Sequence, residues 1–305
     1  MEIVHNKYKK VADFCYELFR IVELPLHNSK FSNKMYSNFQ KLYLLVYKQS
    51  RKFTYEDLLT DLEGNPSLRE YLGLPFLPHY TTLIKFAERL PAALLERLVL
   101  AFKELMPAPK KVSIDATGLS LDNASAHYCK RLGLPYRKRP FMKTTFVVDI
   151  ETFCILLCRM RKKPRHDTVD AKPMIKELAK HYSPDSFYAD KGYDDSNIFK
   201  LVAENLGAFP LIFQRRQDVP KHRRKGEFRK WAFGLFDYGE YLQRNRGEAT
   251  NAIYKKRFGS GVKSRRLKMQ RVEIMIRVVA HNIDRLIRRG TEVIYAFVRI
   301  VRVSY

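Results

Sequence analysis

Cysteine is scarce in this chain of 305 residues: Cys15, Cys129, Cys154 and Cys158 are all it has. Four thiols at this length suggest no disulfide framework, which argues against a stapled secreted scaffold and for a reducing compartment. Cys154 and Cys158 sit in the apolar run TFCILLCRM, expected to be a strand with small buried thiols. A zinc site there would need two more ligands, and none stands nearby. Long apolar runs are missing too. No stretch approaches the ~18–20 uninterrupted apolar residues of a membrane span. The C-terminal VIYAFVRIVRVSY is interrupted by Arg299 and Arg302 and reads as a strand or short helix. MEIVHNKYKK is polar and charged, without the apolar core of a secretory signal. There is no internal repeat and no low-complexity linker.

Acidic residues are also in short supply, with 32 Asp and Glu against 57 Lys and Arg, a net charge of +25. A chain that basic points to a polyanionic partner, nucleic acid first and an anionic membrane second. Residues 1–100 carry 14 basic and 11 acidic residues, a net of +3, so the remaining 205 hold 25 − 3 = +22. Hydrophobic residues make up 46% of the chain, enough to bury one large core or two modest ones.

Residues 1–107 read as a helical domain with a potential DNA-binding role. Apolar residues recur at helical spacing in YKKVADFCYELFRIVEL, MYSNFQKLYLLVYKQS, TYEDLLTDLEG and TTLIKFAERLPAALLERLVLAFKEL. Thr54 with Asp57 marks a helix start, and Gly64 a stop. Short helices with tight turns suit a helix-turn-helix and any other small bundle equally. The first 52 residues, with 10 basic and 4 acidic, are the better DNA-facing half.

The pattern changes at MPAPKK, which places a boundary near 107–111. KVSIDATGLSL, RPFMKTTFVVDIE and TFCILLCRMR read as three strands. Then come a helix (VDAKPMIKELAKHY), a strand (SFYAD), a helix (SNIFKLVAENLG) and a strand (AFPLIF), giving a mixed α/β sheet flanked by helices over 108–290. QRRQDVPKHRRKGEFRK, with eight basic and two acidic residues, is expected to be an exposed loop within about 214–240. Residues 241–289 are mainly helical and 291–305 form a tail.

The scarcity of acid is most pointed between 241 and 270, where nine basic residues accompany a single acid, Glu248. Tyr241, Arg244, Glu248 and Lys255 form the pattern Tyr-x2-Arg-x3-Glu-x6-Lys. An anionic ligand set among cations suits a metal ion that must meet a phosphate. Asn245-x-x-Glu248 also has the form of a capping box. If the helix starts before Asn245 instead, Arg244, Glu248 and Lys255 share one face. Two further acids have unusual placements. Asp115 lies mid-strand, where aspartate is disfavoured without work at the polar face, though a surface strand position would also accept it. Asp190 ends a strand before Lys191-Gly192, a position suited to ligands and equally to a turn. Asp194 and Asp195 read as caps of the next helix. Two strand acids and one helix acid together meet the oxygen-ligand needs of two hard divalent cations.

SIDATGLS around Asp115, YADKGYDD around Asp190 and the Tyr241-to-Lys255 segment resemble DDE transposases of prokaryotic insertion sequences, in particular the insertion-sequence four/five superfamily. The resemblance covers roughly 110–290. It implies a ribonuclease H-like core in which Asp115, Asp190 and Glu248 are the catalytic metal ligands for two divalent ions, Mg2+ expected and Mn2+ possible in its place. It also implies binding to double-stranded DNA at terminal inverted repeats and target sites. Cleavage would expose a 3′-hydroxyl that attacks the target, by a homodimer or larger assembly in the prokaryotic cytoplasm at the nucleoid. Only 58 residues separate Asp190 from Glu248, leaving little room for the large β insertion of some relatives.

His166-Asp167 resembles a His-Asp pair of that family; the local pattern alone makes Asp167 an N-cap with Asp170 in the first turn. Arg244 and Lys255 are expected on DNA phosphates with Tyr241 packing or hydrogen-bonding beside them. Lys256, Arg257, Arg265, Arg266, Arg223, Arg224 and Lys225 complete the expected DNA contacts, and Arg137–Arg139 and RMRKKPRH are further basic tracts. Trp231, Phe228 and Phe233 suit loop anchoring, or stacking on an extruded base. Three other readings compete: a host nuclease on the same core without strand transfer, a non-catalytic DNA-binding regulator derived from a transposase, and, more remotely, a basic membrane-surface protein.

Overall fold

The computed structural model describes residues 2–31, 34–121, 130–133 and 140–291. These form two compact units. One joins the chain up to Phe102 with the chain from Ser264 onward, and the other spans Lys103–Lys263.

The first unit is helical: α1 (Glu2–Ile21), α2 (Asn38–Arg51), α3 (Tyr55–Glu63), α4 (Pro66–Tyr71), α5 (Tyr80–Arg89) and α6 (Ala92–Leu100), with α12 (Leu267–Arg288) returning from the far end of the sequence. Thr54 caps α3 as expected, its hydroxyl accepting from the Asp57 amide while the Asp57 carboxylate accepts from the Thr54 amide. The apolar periodicity over 81–105 resolves into two helices. Pro91 pushes Leu90 into an extended conformation and stops α5 there.

Helix α12, read from the sequence together with residues 108–290, groups with the helical unit in the structure. Ile274, Met275, Ile276, Val278 and Val279 are all buried, and so are Glu273, Arg277, His281 and Asp284, so this helix is buried on nearly every side and packs as a core element among α1, α2, α5 and α6. Its buried charges are paired: Arg277 with Glu273, and Asp284 with Lys7, Arg285 and Arg288.

The second unit is built on a sheet of order β3-β2-β1-β4-β5. Strands β1 (Lys111–Leu121), β2 (Phe141–Asp149) and β3 (Ile155–Arg161) form an antiparallel meander. After α7 (Asp167–Leu178), β4 (Ser186–Ala189) pairs parallel to β1. Helix α8 (Ser196–Lys200) continues as a π turn (Leu201–Asn205) into β5 (Phe209–Ile212). Next come α9 (Glu227–Gly234), α10 (Tyr238–Tyr241) and α11 (Asn245–Phe258). The two-residue strand β6 (Gly261–Val262) then pairs with the end of β1.

Strand alternation assigns the two faces. Lys143, Arg159 and Arg161 point to one face, where they meet Asp170 of α7. Ser113, Asp115, Phe146 and Val148 point to the other, where they meet α11 through Gly247, Asn251 and Tyr254. The sheet is therefore sandwiched between helices, with a buried core on each side.

Candidate active site

Asp115 and Asp190 are brought level by the register of the sheet. β1 pairs with β4 as Lys111↔Ser186, Val112↔Phe187 and Ser113↔Tyr188, an offset of 75 residues. The two aspartates are also 190 − 115 = 75 residues apart. Asp190 follows β4 with extended backbone (φ −76°, ψ 177°), so continuing the register by two residues puts it opposite Asp115. Neighbouring strands lie about 4.8 Å apart and in-register residues share a face. Asp190 also accepts from the Gly192 amide at 2.8 Å, so its turn role and its position beside Asp115 coexist.

Glu248 lies on α11, which meets the same face. No side chain caps α11. Arg244 is already helical, and the preceding 3-10 turn (Leu242–Arg244) runs on from α10. The capping-box alternative is thereby corrected: helical backbone runs into α11 from the 3-10 turn before it, and Arg244, Glu248 and Lys255 share one side. Arg244 forms an ion pair with the half-exposed Glu248. A Cβ added to Gly247 would lie 2.5 Å from Ser113 Oγ, so this glycine lets α11 ride directly on β1. One turn on, Asn251 Nδ2 donates to Asp115 Oδ2 at 2.7 Å. The other Asp115 oxygen accepts from the Ala116 amide at 2.9 Å.

The acids feel one another. Burial chiefly raises the Asp115 pKa above the ordinary carboxylate range, hydrogen bonds from Ala116 and Asn251 oppose the rise, and the charges of Glu248 and Asp190 add to it. The Tyr193 hydroxyl is fully buried beside the same carboxylates. Oxygen donors of this kind are what a hard divalent cation takes. Among the described residues, however, no three His, Cys, Asp or Glu side chains stand together as a group that could hold a metal ion.

Of the expected DNA contacts, Lys256, Arg265, Arg266, Arg223 and Lys225 are exposed, while Lys255 and Arg257 are half-buried. Arg265 and Arg266 belong to the helical unit, where Arg266 also pairs with Glu88 at 3.1 Å. Tyr241 is buried among Phe213, Phe236 and Tyr238, with the Arg244 guanidinium 5.5 Å from its ring. It supports Arg244 and offers no contact surface of its own.

Arg224 is a plain correction, being only 3% exposed. Its guanidinium donates to Gln214 Oε1 and to the carbonyls of Arg216 and Gln217, and it stacks 3.5 Å over the ring of Phe233. A loop rich in carbonyls without ladder partners needs such an internal donor. The expected exposed loop is in part helix α9, clamped to the turn after Asp190 by Arg229 and Asp194, which share two hydrogen bonds of 2.7 Å. Asp194 is thus an anchor, while Asp195 does cap α8. Arg159 and Arg161 of the RMRKKPRH tract likewise turn inward to Asp170. Trp231 rests edge-on against Phe209 as a loop anchor. Arg137, Lys138, Arg139 and Cys129 lie outside the described residues.

His166, not Asp167, is the N-cap of α7, because the Asp167 carboxylate is taken by Lys143 at 2.7 Å. His166 is exposed. The Asp167 Oδ2 atom lies 3.6 Å from where a Gly192 Cβ would stand, on the Asp190 turn.

Sequence reasoning missed Gly247 and Asn251, both in the unspecified gaps of the Tyr-Arg-Glu-Lys pattern. A glycine inside a helix, disfavoured by ~1 kcal/mol against alanine, was the available signal for the first. Asn251 stands three residues from Glu248 and so on its face, which was the signal for the second. A polar network of Lys111, Glu240, Gln243 and Tyr188 beneath α10 was also unforeseen.

The second unit thus combines a mixed sheet bearing two aspartates at adjacent strands with a helix bearing a glutamate on the same face. Residues 107–283 match the transposase DDE domain, and the chain belongs to that family. Among solved structures, the cryo-EM structure of the piggyBac transposase synaptic complex with hairpin DNA is similar at a TM-score of 0.47 and 10% identity. The match covers 97% of this chain and 78% of that one. No curated protein matches the chain. No helix among the described residues is long and apolar enough to cross a membrane.

Proposed function

We propose that the chain is an insertion-sequence transposase of the insertion-sequence four/five type, acting through a ribonuclease H-like core. It binds the terminal inverted repeats of its element, cleaves to free 3′-hydroxyl ends and transfers them to target DNA. The observation that carries this reading is the shared 75-residue offset that sets Asp190 level with Asp115, on the sheet face to which α11 brings Glu248. Asp115, Asp190 and Glu248 are the residues that would hold two divalent ions, Mg2+ or in its place Mn2+. When bound, such ions activate the attacking oxygen and stabilise the leaving one.

The protein's own side chains do the rest. Asn251 and the Ala116 amide fix the Asp115 carboxylate while each adds only one neutral donor to it. Arg244, steadied by Tyr241, is available to a DNA phosphate once Glu248 turns toward the aspartates. Lys255, Lys256, Arg257, Arg223, Lys225, Arg265 and Arg266 supply further phosphate contacts that carry affinity and little sequence information. His166 and Asp167 are auxiliary groups beside the cleaved strand. Because two ends must meet one target, the active species is a homodimer or larger on DNA, in the prokaryotic cytoplasm.

The test is a joined-product assay on DNA bearing the inverted repeats that flank the gene, with a supercoiled target and Mg2+. Joined products support transposition. Cleavage without joining would favour the nuclease reading, and binding without either would favour the regulator.

A further inference from the structure

We infer that Asn251 is a positioning residue: its amide fixes the Asp115 carboxylate in the orientation a divalent cation needs and ties that carboxylate to the helix carrying Glu248. The inference rests on the metal-binding reading above. Asn251 is 8% exposed, and its Nδ2 lies 2.7 Å from Asp115 Oδ2. A carboxylate only accepts, so the amide must present its nitrogen there. The Ala116 amide takes the other oxygen, and with one donor on each the carboxylate cannot rotate freely, while each oxygen keeps a lone pair.

The residue type matters. A lysine or arginine at 251 would bring a positive charge that competes with the cation. An aspartate would add a fourth acid to a crowded face. A neutral amide donor avoids both. Its place on the helix matters equally, because Asn251 follows Glu248 by three residues and Gly247 seats the same turn against Ser113. One hydrogen bond therefore sets the orientation of the first carboxylate and couples it to the element bearing the third.

Partners of this kind behind a metal ligand change metal affinity or activity by about 10–100-fold when removed. The experiment measures Mn2+ binding calorimetrically on the full chain, for wild type, Asn251→Ala, Asn251→Ser and Asp115→Asn, with the thermal midpoint of each. The expected result is Mn2+ affinity weakened about 10–100-fold in Asn251→Ala and largely lost in Asp115→Asn, in variants that unfold cooperatively. Asn251→Ser, which keeps more of the packing, carries the same comparison if the alanine variant does not fold. Wild-type Mn2+ affinity in a folded Asn251 variant, with Asp115→Asn impaired, would overturn the inference and leave the metal reading standing. Wild-type affinity in Asp115→Asn would overturn the metal reading itself.

Discussion

Gly247→Ala is the most informative single substitution in the second unit, because two effects of opposite sign compete there. Inside a helix, alanine in place of glycine ordinarily stabilises by ~1 kcal/mol. Here the new Cβ would lie 2.5 Å from Ser113 Oγ and 2.7 Å from Ser113 Cβ. Carbon atoms in ordinary contact stand ~3.5–4.0 Å apart. The Ser113 Cβ is fixed to β1, so α11 must lift by about 1 Å or tilt by an equivalent amount. Overpacking of this kind costs about 1–3 kcal/mol, enough to outweigh the helical gain. The functional loss should be larger than the loss of stability. Glu248 and Asn251 move with the helix, and a displacement of about 1 Å at a reacting centre can cost ~100-fold. Urea unfolding and single-turnover cleavage of repeat-bearing DNA read the two quantities separately. Adding Ser113→Gly, which removes both clashing atoms, should restore most of the cleavage, whereas Ser113→Ala should restore less. A Gly247→Ala protein that is ~1 kcal/mol more stable and cleaves like wild type would refute the argument that close approach positions the helix.

Arg224→Ala should lower the thermal midpoint and expose segment 214–234 to protease, since it strands carbonyls that Arg224 now satisfies. Arg223→Ala and Lys225→Ala should instead leave the midpoint unchanged and each reduce the salt slope of DNA binding by about 1, measured by fluorescence anisotropy across a salt series. Equal effects from all three would contradict the inward placement of Arg224. Arg229→Ala leaves the nearly buried Asp194 without its ionic partner and should destabilise by about 3 kcal/mol; an unaltered urea midpoint would argue that the clamp is unimportant. Asp149 gives a pH test. Burial chiefly raises its pKa, with hydrogen bonds from Thr152 and the Glu151 amide opposing. A folded-state pKa above the unfolded value means stability is fully present below about pH 4 and declines as pH rises through the folded value. Asp149→Asn should flatten that decline in urea titrations, and a variant with the wild-type slope would count against it.

Much of the second unit was legible because its strands carry their own signals. β1, β2, β4 and β5 fall within the segments whose β-branched and aromatic content marked them. The three acids could be singled out for a different reason, Asp115 and Glu248 as odd choices for their local settings and Asp190 as the end of a strand. What stayed hidden depends on contacts between distant segments. Nothing local distinguishes Arg224 from Arg223, yet one turns inward to carbonyls and the other to solvent. Helix α12 was assigned by adjacency to the Glu248 segment, and only packing shows that its apolar surface is met by α1, α2, α5 and α6. Asn251 could be placed on the face of Glu248 from spacing, but its bond to Asp115 spans 136 residues and requires the sheet to exist first.

The central claim is that Asp115, Asp190 and Glu248 work as one set on DNA. The most direct measurement is Mg2+-dependent strand cleavage of repeat-bearing DNA by wild type and by Asp115→Asn, Asp190→Asn and Glu248→Gln, each first checked for cooperative unfolding. The account predicts that all three folded variants bind the DNA and none cleaves it. Cleavage retained by any one of them would remove that residue from the set and contradict the account.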